Sequence, residues 1–114
     1  MPYLKIQINQ PISQEKSKAL MVAASKQLSI DLDKPERYLM VELTTNPTML
    51  LGGTDNPAAY LELKSINLPV GQTKNLSQSL TLLLEDELEI LPSRIYIEFS
   101  DVKGGFWGWN GSTF

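Results

Sequence analysis

The chain has 114 residues, 42% apolar and 20% charged, with a net charge of −3, no cysteine and no histidine. That length and balance fit a single domain over 1–114 with its own core and argue against disorder. The missing cysteine and histidine exclude disulfides, thiol redox chemistry and thiolate metal sites; they also remove the commonest metal ligand and the usual neutral-pH base, so no metal and no cofactor are expected.

The first informative residue is Pro2. If Met1 is trimmed, Pro2 presents a free secondary amine, and an α-amino group ordinarily titrates at roughly 7.7–8.0. In a chain without histidine, that amine is the obvious group able to change charge near neutrality. The N-terminus alternates polar and apolar residues and lacks a continuous apolar core, so it does not read as a signal peptide. No apolar run approaches the length of a membrane span. The expected location is cytoplasmic, with no membrane association.

Tyr3 to Asn9 alternates with period two, placing Leu4, Ile6 and Ile8 on one face; this reads as a strand. Ser13 is a candidate helix N-cap, and Leu20, Ala24 and Leu28 then recur at helical spacing, ending before Asp33 and Pro35. Arg37 to Thr45 reads as a second strand, with Leu39, Val41 and Leu43 on one face. The order then returns. Ala59, Leu61 and Leu63 alternate with Tyr60, Glu62 and Lys64; Pro69-Val70-Gly71 breaks the chain. Leu76, Leu80, Leu83, Leu84 and Leu88 form a helical stripe that Pro92 stops, and Ile95, Ile97 and Phe99 alternate with Tyr96, Glu98 and Ser100.

Short identities mark the same duplication. Tyr3-Leu4 returns as Tyr60-Leu61 and Pro35-Glu36-Arg37 as Pro92-Ser93-Arg94, both displaced by half the chain length. The predicted fold is a two-layer α+β domain made of tandem βαβ units, residues 1–57 and 58–114. Two right-handed crossovers give one four-stranded mixed sheet with both helices on one face. The other face carries Lys5, Gln7, Glu62, Lys64, Glu98 and tyrosines, so it is either open to water or lines a solvated interface.

The last eleven residues lie outside the repeat and hold both tryptophans, Trp107 and Trp109, together with Phe106 and Phe114. A tail this aromatic either packs on a neighbouring subunit or walls a pocket for a flat ligand. Lys34, between Asp33 and Pro35, is a candidate cation at the mouth of the second strand. Leu51-Gly52-Gly53-Thr54 lacks the context of a phosphate-binding loop. Glu85, Asp86, Glu87 and Glu89 read as a solvated helix face, with Glu85 and Glu89 an exposed i, i+4 pair. Two sequons, at Asn75 and Asn110, read as chance matches. Lysines are scattered, so nucleic acid is not an expected partner.

Met1-Pro2, Lys34-Pro35, Leu51-Gly52-Gly53, Ser65-Ile66, Arg94-Ile95-Tyr96-Ile97 and the ending Gly108-Trp109-Asn110-Gly111-Ser112-Thr113-Phe114 resemble the macrophage migration inhibitory factor family of the tautomerase superfamily. The likeness runs over the whole chain, as a member unlike the animal proteins in lacking cysteine. It implies a homotrimer with sites between subunits and a cofactor-free keto–enol tautomerase for phenylpyruvate-like 2-oxo acids, with dopachrome isomerisation as a second reaction. It implies that Pro2 is the base and that Lys34 binds the substrate carboxylate. Ile66 would add a backbone contact, and Tyr96, Trp109 and Phe114 would enclose the aromatic ring. The stretch matching the animal Cys-x-x-Cys motif reads Ala58-Ala59-Tyr60-Leu61 here. Glu98 stands where the animal proteins have asparagine and could reach the pocket; Trp107 replaces a smaller aliphatic residue and could narrow it. The alternative that the resemblance allows is a cytokine-like protein, secreted without a signal peptide, whose tautomerase activity is vestigial; no receptor is indicated by the residues themselves. Trimer assembly alone is a third reading.

Overall fold

The period-two segment at the N-terminus forms strand β1 (Tyr3–Ile8), which buries Leu4, Ile6 and Ile8 and turns Tyr3, Lys5 and Gln7 the other way. A computed structural model describes all 114 residues. Ser13 caps helix α1 (Gln14–Leu32), its Oγ accepting from the Lys16 amide at 3.1 Å, and the helix buries Leu20, Ala24, Leu28 and Leu32. α1 ends at Asp33 in the left-handed conformation.

Strand β2 (Met40–Thr45) begins three residues later than the alternation predicts. Pro35 opens a 3-10 turn over Glu36–Tyr38, in which the Tyr38 amide donates to Pro35 and the Leu39 amide to Glu36. Arg37 and Tyr38 therefore lie outside the ladder.

Strand β3 (Ala59–Ile66) leads into helix α2 (Val70–Leu88), which buries Leu76, Leu80 and Leu84. Pro69 does not break the chain together with Val70 and Gly71; it is the N-cap, and both following residues are helical. This is the place where proline costs a helix nothing, because the first amides have no partner inside the helix. Nor does Pro92 stop the helix. Glu89 ends it in the left-handed conformation, its amide donating to Glu85, and Pro92 instead starts a 3-10 turn into β4 (Ile95–Val102). Glu85 and Glu89 are thus not paired on one helical face.

The sheet order is β2-β1-β3-β4. β1 runs parallel to β2 and β3 parallel to β4, whereas β1 and β3 pair antiparallel at the centre. Buried residues of all these elements, among them Leu4, Ile6, Leu20, Leu28, Leu61, Leu63, Leu80 and Leu84, form one continuous cluster between the helices and one sheet face. The sheet's other face is the polar one predicted. Lys5 stands opposite Glu62, and Glu62 opposite Glu98. The Tyr60 hydroxyl lies 3.0 Å from the Glu98 carboxylate and 3.2 Å from that of Glu62. Burial, with those two acceptors, pushes the phenol up to about 12. No helix is long and apolar enough to cross a membrane.

Two side chains bind the linker between the halves. Asn9, 6% exposed, reaches the carbonyls of Met49, Asp55 and Asn56 through Nδ2, and its Oδ1 accepts from the Ala58 amide at 2.8 Å. Arg94 donates to the carbonyls of Leu51, Thr54, Asn56 and Pro57. Removing the Asn9 amide strands buried backbone groups, each costing about 1–3 kcal/mol when unsatisfied. Asn9→Ala is accordingly expected to lower the unfolding free energy by about 2–4 kcal/mol in urea titrations with an unchanged m-value.

Candidate active site at the N-terminus

Pro2 precedes β1, an interior strand, so the chain terminus emerges in the middle of a sheet end. The Pro2 carbonyl accepts from the Met40 amide at 3.1 Å, and its ring is fully buried. Lys34 approaches from the loop after α1. Its backbone is held at both ends by Ser29, which accepts from the Lys34 amide at 3.1 Å and donates from Oγ to the Lys34 carbonyl at 2.6 Å. Its Nζ donates to Ser65 Oγ at 2.7 Å and to the Ile66 carbonyl. Lys34 has no carboxylate within ion-pair distance; the single ion pair in the chain is Lys64–Glu62, at 4.0 Å.

The electrostatics favour a neutral amine beside a charged lysine. Burial, then the charge of Lys34 and the contact with it, hold the Met1 amine below its ordinary value of 8.0. Lys34 is itself lowered by burial, but contact with the amine and the charge of Asp101 oppose that fall. Burial lowers both groups, and the contact between them deepens the fall at the amine and opposes it at Lys34.

Two cavities meet at Met1 and Tyr38. One, of about 500 Å³, is lined by Pro2, Tyr3, Arg37, Leu39, Met40, Lys64, Trp107 and Trp109; the other, of about 270 Å³, by Lys34, Pro35, Ile66, Asn67 and Phe114. Their shared wall is aromatic. Trp109 and Phe114 stack with centroids 5.6 Å apart, and Tyr38 meets them edge-on at 5.4 and 6.3 Å. A small hairpin holds the wall, pairing β5 (Gly108–Trp109) with β6 (Ser112–Thr113). Its turn is Asn110-Gly111, both at positive φ, the conformation such two-residue turns require. Gly104 lets the C-terminus approach, since a Cβ there would lie 3.0 Å from the Phe114 carbonyl oxygen.

Pro2, Lys34, Ile66, Trp107, Trp109 and Phe114 are therefore brought to one place. Tyr96 and Glu98 are not, within one copy. Tyr96 pairs with Tyr60, and Tyr60 with Gln7, four residues along the ladder from the Tyr3–Lys64 pair. At 3.3 Å per residue that is about 13 Å from the amine's end of the sheet. Tyr96 is 63% exposed there. Glu98, on the same open face, accepts from Tyr60.

Alternation and spacing alone give Arg37, Tyr38 and Ser65 no part in the site. Tyr38 and Arg37 fall in a predicted strand that begins only at Met40. Ser65 carried a usable signal: it follows Ala59, Leu61 and Leu63 on the core-facing register, a polar residue where an apolar one is due, and it is wholly buried. A buried hydroxyl needs a partner, and Lys34 is that partner.

A family model described as "Macrophage migration inhibitory factor (MIF)" matches residues 1–114. The macrophage migration inhibitory factor homolog of Brugia malayi is 40% identical over 116 residues, covering 100% of this chain and 99% of that one. The mouse macrophage migration inhibitory factor is 40% identical over 91 residues, 79% of each chain. Among solved structures, the homologue from Prochlorococcus marinus superposes with a TM-score of 0.92 at 37% identity, covering 98% of both chains. The migration inhibitory factor-like protein of Entamoeba histolytica gives 0.92 at 30% identity, covering 99% of this chain and 98% of that one.

The Lys34–Ser65 contact can be isolated by a double-mutant cycle. Ser65→Ala combined with Lys34→Met is expected to show a coupling energy of about 1–2 kcal/mol in chemical unfolding, as for a hydrogen bond to a charged group.

Proposed function

The chain belongs to the macrophage migration inhibitory factor family, and from that footing we propose that it is a cofactor-independent keto–enol tautomerase for phenylpyruvate-like 2-oxo acids. Pro2, freed by removal of Met1, is the general base. The observation that carries this reading is the placement of the chain's terminal amine beside a lysine that has no carboxylate partner.

In the proposed reaction the substrate carboxylate meets Lys34 at the Ser65–Ile66 corner, and its ring lies against Trp109 and Phe114. The neutral Pro2 nitrogen takes a proton from the carbon next to the ketone. The C–H electrons form the carbon–carbon double bond, and the carbonyl pair moves to oxygen. Lys34 stabilises the negative charge that develops there. The protonated Pro2 then returns its proton to that oxygen, so atoms and charge balance and the base is regenerated. Such a base must be mostly unprotonated near neutrality. Burial and the Lys34 charge, which lower the Met1 amine, would act in the same direction on the Pro2 nitrogen that takes its place.

A homotrimer completes the site in this reading. The open sheet face and the unpaired outer edges of β2 and β4 leave surface for neighbouring copies. Tyr96, too far from its own Pro2, would then serve a neighbour's site. Glu98 would come with it, its charge tempered by the hydrogen bond from Tyr60.

Two measurements test the reading. Enol-phenylpyruvate ketonisation, followed in the ultraviolet with Met1 confirmed absent by intact mass, is expected to fall about 10²–10³-fold in kcat/KM for Pro2→Gly; undiminished activity would remove Pro2 as the base. The second is the pH profile. The acid limb of kcat/KM, which reports protonation of the base, is expected below the ordinary α-amino range; in Lys34→Met the lost positive charge lets the amine hold its proton more tightly, so that limb moves to higher pH.

A further inference from the structure

Two cations beside Pro2 have no part in that reaction. Arg37 holds its guanidinium over the Tyr38 ring, 4.7 Å from the centroid, and has no carboxylate within ion-pair distance. Tyr38 is itself fixed edge-on by Trp109 and Phe114. The planar fork of Arg37 is thus backed by a built aromatic wall, the kind of surface on which a guanidinium stacks. Lys64 enters the same cavity from the sheet, where it is the cross-strand partner of Tyr3. Glu62, 4.0 Å away, neutralises part of its charge. Of the other acids at this end of the sheet, Glu42 accepts from the Tyr3 hydroxyl and Asp101 from the Leu68 amide.

The positive groups around the amine therefore fall into two sets. Lys34 lines the smaller cavity; Arg37 and Lys64 line the larger, and Leu39, Met40 and Trp107 supply apolar lining beside them. A substrate with one carboxylate and a plain ring uses only the first set. We propose that the Arg37–Lys64 side is a second anion subsite, so that the preferred substrates are 2-oxo acids bearing a further carboxylate at the end remote from the 2-oxo group. A carboxylate matches the flat arginine fork, which can bind both oxygens. The inference rests on the tautomerase reading for the identity of the reacting end, but the subsite itself is a matter of binding.

The test uses two unreactive probes, 4-carboxyphenylacetate and phenylacetate, titrated into the Met1-free protein and followed by fluorescence of Trp107 and Trp109, which line the cavity. The dianion is expected to bind roughly five- to tenfold more tightly at low salt, an advantage that shrinks as salt screens it. Arg37→Gln is expected to abolish the advantage, Arg37→Lys to keep part of it, and Lys64→Gln to reduce it. Equal affinities in the parent overturn the proposal, as does an advantage that survives in Arg37→Gln, or a loss in that variant that falls equally on both probes. Because no turnover is needed, failure of Pro2 as the base leaves this result standing. An active tautomerase with equal affinities removes only the subsite.

Discussion

Everything at the site depends on β1 being an interior strand. Its antiparallel pairing with β3 joins the two halves, and its parallel pairing with β2 completes the first. An edge strand would leave the terminus at a margin of the sheet, open to water. Here it emerges between the start of β2 and the end of β3. The first contributes the Met40 amide that holds Pro2, and the second contributes Ser65 and Ile66, which hold Lys34. The same register sets Lys64 opposite Tyr3. One pairing choice thus places an amine, its cation and a second cation around a single point.

The chemistry follows from what surrounds that point. An amine in water is protonated at neutrality, and a buried one next to a fixed positive charge is less so. Lys34 is held by two neutral acceptors, Ser65 and Ile66, and by no carboxylate. A carboxylate would have held Lys34 equally well but cancelled its field. The opposite sheet face follows another logic. Glu62 and Glu98 stand directly across from each other, a like-charge pairing that costs energy, and the Tyr60 hydroxyl between them relieves part of that cost.

Much of the scaffold was legible in the sequence because period-two and helical spacing report burial directly. Leu4-Ile6-Ile8, Leu20-Ala24-Leu28 and Leu61-Leu63 fell on the core face as read. The misplacements sit at prolines. Pro35, Pro69 and Pro92 read in the sequence as ends or breaks, yet each begins a helical turn, since proline's fixed φ suits a first turn as well as a stop. The site was less legible. Pro2 is legible as a free amine in a chain without histidine and Lys34 as a candidate cation, but their roles come only from the resemblance. Arg37 and Tyr38 fall inside the predicted second strand, whose alternation conceals the 3-10 turn. Asn110-Gly111 belongs to a sequon and to the ending that carries the resemblance, and Asn-Gly between short apolar segments is also a hairpin signal. That Tyr96 and Glu98 lie far from Pro2 in one copy is a fact of register, which alternation alone does not reveal.

The aromatic wall has a different provenance from the rest of the pocket. Amine, lysine and floor come from the duplicated units and are tied into the core through β1, β3 and α1. Trp107, Trp109 and Phe114 come from the unduplicated tail, and none of them belongs to the buried cluster. The aromatic tail is therefore built separately from the scaffold that carries the amine and Lys34. Substitutions in the tail can reshape the cavity wall while leaving the packing of the two halves almost untouched, so the scaffold tolerates a changing wall without repacking its core.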